Sequence, residues 1–173
     1  MTSISQIASA ALGLSFLAAC GQGSPGPALW DLTTTGVGGI SFGAAVADVE
    51  EELGVPVDPA LIESSCEFIS PEGAPDGLTL MAESGRIVRA DVTSGTARTA
   101  EGAAIGDSER RILELYPALR RMPHKYTTGS YLVVLPNAPA DTLHRYVFET
   151  DGSSVTRFRA GLYPPVEYVE GCG

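Results

Sequence analysis

Apolar positions recur along the chain with two periods, and the change from one to the other marks out the elements. In residues 43–54, Val46, Val49 and Leu53 stand at helical spacing and Gly54 takes the place of a helix C-cap. Asp58-Pro59 reads as an N-cap followed by proline at the first helical position, which predicts a short second helix to Ile62. Cys66-Glu67-Phe68-Ile69 reads as extended and ends before Pro71. From Leu78 the period becomes two. With Ser84-Gly85-Arg86 as a three-residue hairpin loop, Leu78, Leu80, Ala82, Val88, Ala90 and Val92 fall on one face, while Thr79, Met81, Glu83, Arg89 and Asp91 fall on the other with Ile87.

The same order of elements then returns. Residues 105–117 lay Gly106 on Gly43 and Ile112 on Val49, an offset of 63 residues (106 − 43), with Asp107 or Ser108 to cap a helix and Pro117 to stop it. Residues 131–135 read as a strand, and 145–150 with 155–160 as a second hairpin about Asp151-Gly152-Ser153. A three-residue loop there groups Tyr146, Phe148, Thr156, Phe158 and Ala160 on one face, with Arg145, Glu149, Arg157 and Arg159 opposite. The expectation is an α+β fold of two tandem repeats, 36–98 and 99–173, each a short helical segment packed on an antiparallel β-sheet.

The leader is of another kind. Ala8 to Ala19 is apolar and too short for a spanning helix, which needs about 20 such residues, so it reads as a removed signal. It closes in Leu17-Ala18-Ala19-Cys20, which resembles the lipobox of bacterial lipoproteins. That resemblance implies a signal peptide over 1–19, a lipid on Cys20 that ties the protein to a membrane, and, with Gly21 rather than an Asp after the cysteine, delivery to the outer membrane facing the periplasm. The run from Gly21 to Pro27 cannot bury anything and makes 20–35 a flexible tether.

Removing the leader leaves about 150 residues, enough for one domain or two small repeats with a shared core. The formal charge of −10 is unevenly laid out: residues 1–85 hold eleven acids and no Lys or Arg, whereas the remainder holds eleven basic and ten acidic residues. Nucleic acid and anionic lipid repel such a chain, so neither is its natural partner. The glutamates Glu50, Glu51 and Glu52 would point about 100° apart on a helix and read as a solvated face rather than a cluster. With Cys20 lipidated, Cys66 and Cys172 remain as an even pair for an oxidising compartment, and neither has a second Cys or a His at ligand spacing. A disulfide between them is expected, and no cofactor or metal.

Candidate chemistry is sparse. Arg120, Arg121, His124 and Lys125 form the most basic stretch of an acidic protein. They read either as a dock for a phosphate, a sugar acid or an acidic partner loop, or as a helix end whose positive charges answer the macrodipole. His144 begins a strand. Asp141 with His144, or Glu101 with Asp107, are the acid/base pairs that could be assembled, and Gly36-Val37-Gly38-Gly39 lacks the Lys and the strand-to-helix context of a phosphate loop. Tyr146, Phe148 and Phe158 form either a stacking platform for a glycan or part of the core.

The pattern Gly43-x-x-Val46-x-x-Val49-x-x-x-Leu53-Gly54-x-Pro56, after a lipobox and before antiparallel strands, resembles the small outer-membrane assembly lipoproteins of the SmpA/OmlA type. Two such units in tandem resemble the β-lactamase inhibitory protein fold. The resemblance implies a non-enzymatic protein-binding module with an envelope protein as partner, in envelope assembly or maintenance. The alternatives are an inhibitor of a periplasmic or secreted hydrolase, or a glycan-binding module.

Overall fold

The computed structural model describes residues 29–54, 56, 66–136 and 140–172. The expected signal peptide, the lipidation site Cys20 and the helix at 58–62 lie outside them. Two short strands, β1 (Gly36–Val37) and β2 (Ile40–Ser41), pair as a separate hairpin. Its turn is Gly38-Gly39, both at positive φ (62° and 84°), so the glycine run is a tight turn. The main sheet comprises β3 (Cys66–Ile69), β4 (Leu78–Glu83), β5 (Arg86–Val92), β6 (Arg120–Pro123), β7 (Ser130–Val134), β8 (His144–Thr150) and β9 (Val155–Leu162). Its order is β3-β4-β5-β9-β8-β7-β6, antiparallel at every pairing.

This corrects the expected α+β fold of two units with helices packed on sheets. The molecule is mostly β, with one sheet shared by both halves of the chain. Described helix is limited to α1 (Glu50–Leu53), preceded by a 3-10 turn at Val46–Asp48, to α2 (Glu109–Leu115), and to a 3-10 turn at Pro165–Glu167. The backbone shows why. Gly43 N–H donates to Ile87 O at 2.7 Å, Ile87 N–H to Ala44 O at 3.0 Å and Val46 N–H to Gly85 O at 2.9 Å, so groups that a longer helix would engage are bonded beside β5. Gly54 then ends α1 at φ 65°. The same bonding recurs before α2, where Gly106 N–H donates to Val155 O, Val155 N–H to Asp107 O and Glu109 N–H to Ser153 O. Ser108 caps α2 by accepting from Arg111 N–H at 3.2 Å.

The hairpin faces differ from expectation at their turns. Glu83 pairs with Arg86, which leaves the two-residue turn Ser84-Gly85 at φ 50° and 73°, and the missing loop residue becomes a bulge at Met81/Ala82. Ile87 therefore packs in the core with Leu78, Leu80, Ala82, Ala90 and Val92, and Val88 does not. In the second hairpin Thr150 pairs with Val155, the loop is Asp151–Ser154, and a bulge falls at Glu149/Thr150. Val155 joins Tyr146, Phe148, Phe158 and Ala160 in the core, and Thr156 is exposed.

The core lies on one face of the sheet, where Leu32, Ile40, Val46, Leu53 and Ile112 close over the β4, β5, β8 and β9 side chains. Across the opposite face runs the C-terminal segment. It buries Val166 against Tyr131, Val133 and Val147, and the disulfide Cys66–Cys172 ties it to β3 with Cα atoms 5.2 Å apart.

Candidate functional site

The basic stretch is the edge strand β6 and the turn after it, not a helix end. Alternation sends neighbours to opposite faces. Arg121 lies opposite Leu132 on the core side, where its Nη2 is 2.9 Å from Glu109 Oε2 and its Nε donates to Ser130 Oγ at 2.9 Å. Arg120 lies opposite Val133, on the face of the C-terminal segment. His124 turns under the sheet and stacks on Tyr131, ring centres 4.4 Å apart. Its Nδ1 accepts from Tyr126 N–H at 3.1 Å, which leaves Nε2 to donate to Glu149 Oε2 at 3.3 Å. Lys125 Nζ is 3.4 Å from Glu170 and 5.0 Å from the Tyr126 ring centre. The structure thus does not bring Arg120, Arg121, His124 and Lys125 onto one surface. The edge itself is blunted. His124 N–H bonds Gly129 O at 3.1 Å, so the alternation turns the peptide groups of Arg120 and Met122 toward β7 and those of Arg121 and Pro123 away, and Pro123 has no N–H.

Beneath the C-terminal segment lies a network that the sequence places correctly opposite the core but as a polar face. Arg89, Arg145, Glu149 and Arg159 are all buried. Arg89 Nε donates to Asp91 at 2.8 Å, and its Nη1 donates to Pro165 O at 2.8 Å and Tyr168 O at 2.9 Å. Arg159 Nε donates to Val166 O at 2.5 Å, and its Nη1 pairs with Glu149. Arg145 pairs with Glu167 and stacks its guanidinium 4.2 Å from the Tyr163 ring centre. Burial raises the Asp91 carboxyl above its ordinary value despite Arg89 beside it. For Glu149 burial pulls the same way, but the hydrogen bond and charge of Arg159, followed by His124 and Arg157, outweigh it and hold that carboxyl low. The guanidiniums and carboxylates engage one another and the carbonyls of the C-terminal segment, which suits them to holding that segment down as a strap, while Arg145 Nε and the Tyr131 hydroxyl are buried with no partner among the described residues.

A pocket of about 360 Å³ lies on the other side of the molecule, at the C-terminal end of α2. Leu115, Leu119, Val134, Leu135 and Pro136 are among its walls, and Glu101, Tyr116 and Tyr146 line it as well. Glu101 Oε2 accepts from Tyr116 Oη at 2.7 Å and from Tyr146 Oη at 3.1 Å. The Tyr116 hydroxyl is also 2.7 Å from Thr99 Oγ1, and the Tyr146 hydroxyl shares its single proton between Glu101 Oε2 and Leu32 O, the latter 2.9 Å away. Burial raises both phenols well above their ordinary value, so they stay neutral donors and fix the carboxylate between them. No protein-family model, curated protein or solved structure matches this chain.

Glu101 is engaged by tyrosines rather than by Asp107. Asp107 is engaged by Ala104 N–H at 2.9 Å, and the groups that reach Glu101 are tyrosines 15 and 45 residues further on. Such spacings carry no motif, and Tyr116 and Tyr146 look like core aromatics because they are core aromatics whose hydroxyls meet at one carboxylate. Asp141 and His144 do meet, at 2.8 Å, and Asp141 also accepts from the N–H groups of Leu143 and His144 at 3.0 Å. Those backbone bonds make Asp141 a turn cap, and His144 closes the turn at the start of β8. Of the two readings of Tyr146, Phe148 and Phe158, the structure shows the core one: all three are fully buried, with Phe148 and Phe158 stacked at 5.6 Å. Among the described residues no three His, Cys, Asp or Glu side chains cluster as metal ligands, and no helix is long and apolar enough to cross a membrane.

Proposed function

We propose that the protein is an envelope lipoprotein, anchored through lipid on Cys20 at the periplasmic face of the outer membrane, that binds another envelope protein without doing chemistry on it, in envelope assembly or maintenance. The Cys66–Cys172 disulfide carries this reading, because a bond that fastens the last residues across the sheet is one that persists in an oxidising compartment. The sequence Leu17-Ala18-Ala19-Cys20 supplies the anchor, and the net charge of −10 turns the body away from nucleic acid and anionic lipid heads and toward basic protein surfaces. Most of the polar groups beneath the C-terminal segment are engaged with one another or with its carbonyls, while the pocket at Glu101 presents an ordered carboxylate among apolar walls.

Two measurements test the reading. Metabolic labelling with a fatty acid marks the wild type and not Cys20→Ala, and crosslinking in intact cells recovers one envelope protein with the labelled form. An unlabelled wild type sinks the anchor. Labelled protein that crosslinks to no envelope protein sinks the binding role.

A further inference from the structure

We propose that the pocket at Glu101 receives a lysine side chain from the partner protein, its ammonium on the Glu101 carboxylate and its methylenes along Leu115, Leu119, Val134 and Leu135. This deepens the binding role above and rests on it for the source of the lysine. Three observations lead to this ligand. Among the described residues that line the pocket Glu101 is the only charged one, so a cation is favoured there and an anion is not. The carboxylate is already oriented: Tyr116 donates to Oε2 at 2.7 Å, and Tyr146, which shares its one proton with Leu32 O, lies 3.1 Å from the same oxygen, so it is held in place before any ligand arrives. The same two bonds leave Oε1 as the oxygen without a described donor, which suits the compact point charge of an ammonium. A guanidinium needs both oxygens for its parallel pair of bonds and is disfavoured.

The walls decide between a bare cation and a long-stemmed one. Leucine, valine and proline side chains offer an inorganic ion nothing to coordinate, whereas an alkyl stem ending in a charge covers such surface while its head stays on the carboxylate. The pocket of about 360 Å³ has room for one such side chain with its backbone outside.

The test uses the full lipidated chain in detergent micelles, uniformly labelled with nitrogen-15, and the probe Nα-acetyl-lysine N-methylamide. Saturable shifts are expected at the amides of Glu101, Leu115, Leu119 and Leu135. Neutral Nα-acetyl-norleucine N-methylamide and the arginine counterpart are each expected to bind at least fivefold more weakly. Glu101→Gln keeps an oxygen for the two tyrosine hydroxyls and removes the charge, and it is expected to weaken the lysine probe at least fivefold. Norleucine binding as well as lysine, an unchanged affinity in Glu101→Gln, or no saturable shift with lysine overturns the proposal. The norleucine comparison is made on the wild type, so it stands even where the variant fails to fold. Because the probe is a free compound, its failure refutes the pocket and leaves the envelope crosslink to be judged separately.

Discussion

Glu149 lies where three cationic or polar side chains meet, and its position makes a sharp statement about stability. Arg159 pairs with one of its oxygens, while His124 Nε2 at 3.3 Å and Arg157 Nε at 3.5 Å approach the other. Removing one member of a buried pair leaves its partner uncompensated, at about 3–5 kcal/mol. Glu149→Gln does this to Arg159, which is itself buried. The dependence on pH follows from the direction of the shift. The folded carboxyl lies below its ordinary value of 4.5, so its contribution is present above that value and is lost as the pH falls through the folded one. Asp91 is shifted the opposite way, so its contribution is present in acid and lost on raising the pH. The difference between wild type and Glu149→Gln isolates the first from the second. In urea unfolding that difference is expected to be several kcal/mol at pH 7 and to shrink as the pH falls from about 4.5, where the unfolded carboxyl takes up its proton, toward the lower folded value, beneath which the wild-type carboxyl is neutral like the amide. A difference that is the same at pH 7 and pH 3 refutes the assignment.

Among the elements, α2 is the one whose sequence and structure agree most closely, and its cap can be weighed. Ser108→Ala removes the oxygen that accepts from Arg111 N–H and is expected to cost about 1 kcal/mol of stability, read from the urea midpoint at unchanged slope; an effect below a few tenths says that the bond to Ser153 O already holds this end. What could be read from the chain was of this local kind. The alternation in 78–92 and 145–160 gave both central hairpins and most of their buried faces. The errors at Ile87, Val88, Val155 and Thr156 came from loop length, because a bulge changes the register by one position and alternation does not reveal where it falls. Likewise Val46, Val49 and Leu53 are all buried at helical spacing, yet most of that stretch is not α-helix: apolar period reports which side faces the core and not which partner the backbone takes. Arg120 to Pro123 became a strand for the same non-local reason, since β7 supplies the pairing. The pocket was less legible still. Glu101 comes from a loop, Tyr116 from the end of α2 and Tyr146 from β8, and only the closed fold brings them within a hydrogen bond of one another.

For the whole molecule, the question is what the Cys66–Cys172 bond does once the chain is folded. The residues it joins are 106 apart, and closing a loop of that length lowers the entropy of the unfolded chain by an amount equivalent to about 4–5 kcal/mol. The strap has other attachments. Val166 is completely buried, Arg89 holds the carbonyls of Pro165 and Tyr168, Arg159 holds that of Val166, and Arg145 pairs with Glu167. Beyond Tyr168 the contacts thin out to Val169 against the apolar cluster and an exposed Glu170 beside Lys125 and Tyr126. The bond therefore acts mainly on the unfolded ensemble, and only the last few residues depend on it for their place. Reduction with dithiothreitol, or Cys66→Ser with Cys172→Ser, is expected to lower the unfolding free energy by up to about 4–5 kcal/mol. Amide exchange should then quicken at 170–172 while the amides of Glu167 and Tyr168 stay protected, because three buried guanidiniums still need the carbonyls of this segment and Glu167 as partners. If the amides of Glu167 and Tyr168 lose protection together with the last residues while the sheet stays intact, the disulfide is what holds the strap on the sheet, and the arginines beneath it do not.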